Sequence, residues 1–328
     1  MVAETDAETG LVAGYILDGN GGGQAIDWQA IDTWQPEQGI LWAHFDVHSE
    51  KVHAYLYQRS GLESIMADAL LELETRPRCL STPQGLLLVL RGVNLNPGAD
   101  PEDMVAIRIW SDGQRIFSVR RRKLLTIQDM CSNIEMGRGP SSCSEFIVDI
   151  ADRLVERMAD VVEQLDDAVD QLEVQVITNE SYQLRSQIAH VRREAIGLRR
   201  YLAPQREALM RLQSEKIEWL REKDRMRLRE VIDRTTRYVE DLDAARERAS
   251  VTQEELMGRL SEQMDKRMYL LSIVAAVFLP LGFLTGLLGI NVGGIPGAEY
   301  HWGFAIVTSI MLLIVFIQFF IFKKRKWL

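Results

Sequence analysis

The spacing of apolar residues changes twice along this chain and divides it into three stretches. Up to about residue 136 the apolar residues come in short runs bounded by turn residues. Residues 11–17 form one run, and Asn20-Gly21-Gly22-Gly23 is a hairpin-type break before residues 24–28. Residues 40–45 read as a buried strand, 52–57 and 62–71 as helices with apolar spacing near 3.6, and 85–93 (GLLLVLRGV) as a strand. Residues 104–110, the pair Asp112-Gly113 and residues 115–119 predict a hairpin with a tight turn. Together these predict a sheet flanked by helices, an α+β domain over residues 1–140.

From Ser144 the spacing lengthens. Leu154, Met158, Val161, Leu165, Val169, Leu172 and Val176 recur every three or four residues with acids between them, which predicts a long amphipathic helix of coiled-coil type. Thr178-Asn179-Glu180 breaks it. A second helix is expected over residues 181–212, with Pro204 as a kink or local break. A third starts near Glu215 and contains a single glycine, Gly258, before the apolar segment that follows. It therefore continues into that segment as one helix. Residues 141–267 form a helical stalk, and helices this polar need partners.

The last stretch has no polar period at all. Residues 270–290 and 302–322 carry no charged side chain, and at ~1.5 Å per residue each can cross a ~30 Å hydrocarbon core. Two spans, 268–290 and 302–322, predict a membrane hairpin joined by an external loop, 291–301, because in lipid only a helix or a closed barrel satisfies the backbone's polar groups. Lys266 and Arg267 precede the first span, Lys323, Lys324, Arg325 and Lys326 follow the second, and the loop holds only Glu299. The positive-inside rule places both termini, including the basic tail 323–328, in the cytoplasm. Tyr300, Trp302 and Trp327 stand where an aromatic belt anchors span ends.

Composition adds exclusions. Forty-seven acids against 38 bases argue against a nucleic-acid partner and suit a surface that concentrates cations. Cys79, Cys131 and Cys143 show no CxxC pairing and are expected reduced and inert. The N-terminal MVAETDAETG lacks the apolar core of a signal peptide. No phosphate-binding glycine loop and no GxSxG elbow occurs, so neither an enzyme nor a bound cofactor is expected.

Gly289-Ile290-Asn291 closes the first span. By itself it reads as a helix C-cap. In its setting, with a stalk helix before it and a short loop, a last helix and a basic tail after it, it resembles the Gly-Met-Asn hallmark of the CorA superfamily of divalent-metal transporters. Residues 185–212 (RSQIAHVRREAIGLRRYLAPQREALMRL) resemble that family's paired arginines followed by a Leu-x-Pro segment. Residues 260–296, with Pro280 inside the span, resemble its pore helix. Two departures stand out: Ile290 replaces Met, and the loop reads NVGGIPGAEY rather than the Met-Pro-Glu type. Both resemble the ZntB branch, associated with zinc.

The resemblance implies a funnel-shaped homopentamer in the cytoplasmic (inner) membrane that moves Zn²⁺, coupled to protons and inward. A Mg²⁺, Co²⁺ or Ni²⁺ channel of the same fold, a zinc exporter and a non-transporting metal sensor or scaffold are the alternatives. Gly289, Ile290 and Asn291 would form the pore mouth, where five Asn291 amides would hydrogen-bond a hydrated ion, and Glu299 would add charge outside. Counting down the span by threes and fours from Gly286 gives Gly282, Leu279, Ala275, Leu271, Met268 and Asp265 as pore-lining. Glu262 and Glu254 would extend a negative lumen, or serve as a solvated stalk face. The spans hold no His, Cys, Asp or Glu, which favours passage of a hydrated ion over a dehydrated Zn²⁺ wanting about four ligands. His44-x-Asp46-x-His48 is the one local cluster with metal-ligand chemistry. If the strand extends that far, all three share a face and can form a regulatory metal site; otherwise they are packing or surface residues, as is His53 nearby. His301 could meet incoming zinc at the loop's end.

Overall fold

The computed structural model describes residues 9–178, 183–290 and 300–324. Its contacts form two units, Met1–Glu254 and Glu255–Leu328. The first is built on a seven-stranded sheet. Its strands are β1 (Leu11–Leu17), β2 (Gly23–Ala25), β3 (Ile40–Asp46), β4 (Arg78–Thr82), β5 (Gly85–Gly92), β6 (Val105–Ser111) and β7 (Arg115–Arg120), in the order β2-β1-β3-β7-β6-β5-β4. All neighbours are antiparallel except β3 and β7. The hairpin at Asp112-Gly113 forms as predicted: Gly113 takes φ +92°, and the Asp112 carboxylate accepts from the Gln114 and Arg115 amides at 2.9 and 2.7 Å.

Both faces of the sheet are covered, which is why its central strands read as continuous apolar runs. On one face Leu41, Ala43 and Phe45 of β3 pack with Val52, Tyr55 and Leu56 of α2 (Glu50–Gln58) and Met66 and Leu70 of α3 (Ser64–Leu71). On the other, Trp42 and Leu86, Leu88 and Leu90 of β5 meet Phe146, Ile147 and Ile150 of α5 (Cys143–Glu156). Helices α1 (Trp28–Thr33) and α4 (Leu125–Glu135) and strand β4 are additional to the elements expected from the sequence. Aspartate at the N-cap starts α1, where the Asp27 side chain accepts from the Ala30 amide at 3.0 Å. Cys79, Cys131 and Cys143 are buried and unpaired, and burial pushes the Cys131 thiol up to about 11.

The amphipathic run after Ser144 is two helices, α5 and α6 (Ala159–Thr178), with a turn at Arg157 and Met158. One stripe serves two partners: α5 lies on the sheet, whereas α6 lines up with α7 (Gln183–Ser214). The corner is tied down by Arg157, which donates to Asp129 of α4. Pro204 does not break α7; Leu202, Ala208, Leu209 and Leu212, buried on either side, hold the helix through it.

The next helix, α8 (Glu222–Leu288), starts seven residues later than the expected Glu215. Residues 215–221 instead dock Trp219 on Gly113 and bury Leu220. The Arg225 guanidinium then caps α7 by donating to the carbonyls of Gln213 and Glu215. As expected, α8 is one helix, 67 residues long, and both units draw on it. Its arginines answer the acids between the apolar positions of α5 and α6: Arg227 meets Asp149 at 2.7 Å, Arg234 meets Asp152, and Arg248 meets Asp166, Asp170 and Glu173. Phe146, Ile147, Leu209, Leu228 and Val231 all belong to the core under the sheet, so the long helices and the α/β layers share it.

The second unit contains the end of α8 and α9 (Gly303–Lys324). Both helices are long and apolar enough to cross a membrane, and none of their apolar window is buried in this chain.

Candidate functional site

The candidate site is the apolar end of α8. Along it Met268, Leu271 and Leu279 are 60%, 63% and 71% exposed, Asp265 and Gly282 are exposed and Ala275 is half-buried. Among the described residues nothing buries Met268, Leu271 or Leu279. A Cβ added at Gly282 or Gly286 would meet no atom within 4 Å, so packing against α9 does not require either glycine. Gly289 ends the helix: its amide donates to the Thr285 carbonyl at 2.9 Å, and a Cβ there would come within 2.8 Å of that same oxygen. Ile290 is exposed, as are Glu254, Glu262 and His301. Asn291 and Glu299 lie outside the described residues.

The hydroxyls of Ser272, Thr285, Thr308 and Ser309 all bond to carbonyls of their own helix. One side chain reaches across. Gln318 of α9 donates its Nε2 to the Ala276 carbonyl of α8 at 3.1 Å. That carbonyl is four residues before Pro280, which has no N–H to give it. Gln318 therefore supplies a donor in place of the one that the proline removes. Sequence reading noted Pro280 but not its partner. An amide within an otherwise uncharged 302–322 was the available signal.

The cluster at residues 44–48 is not assembled. Strand β3 stops at Asp46, so His48 falls in a turn, where its amide and its Nδ1 both lie 3.1 Å from an Asp46 oxygen. His44, on the same face of β3 as Asp46, is fully buried in the core, with Nδ1 2.8 Å from Ser118 Oγ, which accepts from Trp42 Nε1. Burial, with Arg120 close by, lowers its pKa to about 3. His53 donates Nε2 to the Val47 carbonyl at 2.8 Å. Among the described residues no three His, Cys, Asp or Glu side chains stand where they could hold a metal ion.

An α/β unit and two helices each long and apolar enough to cross a membrane fit a membrane protein with two spans. Comparison with known proteins narrows the class. The family profile described as "CorA-like Mg2+ transporter protein" matches residues 37–324, and the chain belongs to that family. A "Divalent cation transporter CmaX" from Pseudomonas aeruginosa is 40% identical over 333 residues, covering 99% of both chains. A "Zinc transport protein ZntB" from Yersinia enterocolitica is 35% identical over 317 residues, 97% of this chain and 96% of that one. The solved structure of full-length CmaX matches with a TM-score of 0.85 at 39% identity, over 99% of this chain and 100% of that one.

Proposed function

We propose that this protein carries Zn²⁺ across the inner membrane as a homopentamer, with both termini cytoplasmic and the apolar end of α8 lining a central pore. The observation that carries the reading is the composition of that segment: residues 270–290 hold no charge and no metal ligand, and they end at Gly289-Ile290-Asn291. Such a wall passes an ion that keeps its water, and a ring of neutral Asn291 amides at the mouth binds hydration water weakly enough to release it. Met268, Leu271 and Leu279, bare in one chain, become the lining, with Ala275, Gly282 and the mouth of Asp265 in register. Gly282 and Gly286, which no neighbour requires to be small, let adjacent copies approach.

Zinc as cargo is supported by the name of the Yersinia relative. A second reading, a Mg²⁺ channel, is supported by the family description, while the Pseudomonas relative is named only for divalent cations. The spans offer no ionisable relay, so a coupled proton crosses with the pore water. Metal entry into liposomes decides between them. Zn²⁺ flux that rises with an inward proton gradient, and falls at least tenfold in Asn291→Ala, supports coupled zinc uptake. Mg²⁺ flux indifferent to pH supports the channel. Absence of flux from assembled protein would overturn both and favour a sensor.

A further inference from the structure

The first unit contains an open cavity of about 470 Å³ lined by none of the residues proposed for the pore. Its walls come from the α3–β4 loop, β5, β6, the segment after β7, and α7. Six arginines line it (Arg76, Arg91, Arg108, Arg121, Arg122 and Arg200) against two acids, Glu74 and Asp103. Asp103 is already paired with Arg122. Among the described residues the other five arginines have no carboxylate within ion-pair distance.

Two of the five are built into the fold. Arg108 is 1% exposed; its Nη2 donates to the Leu73 carbonyl at 3.2 Å, and its Nε and Nη1 have no partner. Arg91 is fixed by the Thr75 carbonyl, which accepts from its Nε and Nη2 at 3.1 and 2.7 Å, and by the Met104 carbonyl at 2.7 Å. Its guanidinium also lies 4.0 Å over the ring of Tyr201, which Arg200 approaches at 5.5 Å. Carbonyl dipoles orient these guanidiniums without neutralising them. Burial, with Arg91 beside it, lowers the Arg108 pKa to about 10, and burial lowers that of Arg91 as well.

A buried, unpaired cation is costly, and proteins tolerate it where a ligand of opposite charge completes the site. The guanidinium fork matches phosphate oxygens two at a time. The volume lies within the ~300–1,000 Å³ range of small-molecule sites, and arginines on several separate segments suit a string of phosphates better than a single ion. We propose that this cavity binds a soluble polyphosphate anion, either a nucleoside triphosphate or inorganic polyphosphate, with Arg91 and Arg108 at its base and Arg76, Arg121 and Arg200 at its rim.

Titration calorimetry on the full-length protein in detergent, in metal-free buffer at physiological salt, tests this with tripolyphosphate, ATP and orthophosphate. Tripolyphosphate and ATP should bind at least tenfold tighter than orthophosphate. Equal binding of the two identifies the phosphate string as the whole determinant, and tighter ATP binding adds a contact to its base, with Tyr201 at hand. Arg121→Gln and Arg200→Gln remove exposed side chains that the fold does not need, and each should weaken tripolyphosphate at least tenfold. Arg108→Met should abolish the rise in melting temperature that tripolyphosphate gives the unaltered protein. If Arg108→Met fails to fold, the two rim variants still decide. Orthophosphate binding as tightly as tripolyphosphate, no binding at all, or binding unchanged in both rim variants would overturn the proposal.

Discussion

Replacing Gln318 by Leu removes the side-chain donor that reaches the Ala276 carbonyl, which Pro280 cannot serve. An unsatisfied buried carbonyl costs about 1–3 kcal/mol, and side-chain hydrogen bonds between membrane helices average ~0.6 with a maximum near 1.7 kcal/mol. Gln318 Oε1 is itself buried without a partner, so losing the amide also relieves a penalty and offsets part of the loss. The net cost expected for Gln318→Leu is about 1 kcal/mol. Pro280→Ala restores a backbone N–H to Ala276, after which Gln318→Leu should cost less than about 0.3 kcal/mol. The cycle therefore predicts a coupling near 1 kcal/mol, roughly a fivefold change in the unfolding equilibrium. Helix loss on titration from mild detergent into dodecyl sulfate, followed by circular dichroism for the four proteins, measures it. Additive effects within ~0.3 kcal/mol would show that Gln318 does not serve the proline's orphan, whatever the single costs.

Other expectations follow from the same coordinates. His44 has its pKa lowered to about 3 from 6.5, first by burial and then by Arg120, so below pH 6.5 the unfolded chain takes up a proton that the native chain refuses. Stability should then fall by ~1.4 kcal/mol per pH unit, about 2 kcal/mol by pH 5, and the drop in melting temperature from pH 7 to 5 should be smaller in His44→Asn. Arg248 joins α8 to three acids of α6 with its side chain 34% exposed. Arg248→Ala should cost about 1 kcal/mol in chemical denaturation at low salt, and much less in 1 M NaCl. A Cβ added at Gly286 meets no described atom within 4 Å, so in Gly286→Leu the melting of the first unit should be unchanged while light scattering in detergent shows the proposed pentamer lost; an unchanged assembly would place Gly286 away from any interface between copies.

The elements that could be read from the sequence were those whose period belongs to one environment. β5 (GLLLVLRG) is buried on both faces, and α8 carries no proline and a single glycine, Gly258, from Glu222 to Leu279, so both were foreseen. The misses occur where one pattern serves two environments. Val155 packs under the sheet and Val161 stands on α6, yet the stripe from Leu154 to Val176 keeps its helical spacing straight through the corner between them. Strand β4 (RCLST) is an edge strand with one buried residue, Cys79, and offered no alternation to detect. Trp219 and Leu220 look like helix residues but are held by Gly113 and the core, which delays α8 by a whole turn and more.

The site was legible to a different degree for a physical reason. Gly289-Ile290-Asn291 is contiguous, so its spacing is visible in one dimension, whereas Gln318 and Ala276 are 42 residues apart and meet only because two apolar helices run side by side. The same holds for His44, where alternation placed the side chain on the correct face but could not show that Ser118, 74 residues away on the parallel strand β7, would be waiting there. Polar groups that bond locally announce themselves in sequence, and those that bond across the fold do not. The polar side chains most consequential in this chain, Gln318 facing a proline's orphan and Arg108 facing an arginine-lined cavity, are both of the second kind. Each stands at a distance in sequence from what it faces. Gln318 in apolar surroundings answers a backbone carbonyl, and Arg108 in like-charged surroundings has its place accounted for by the anion proposed above.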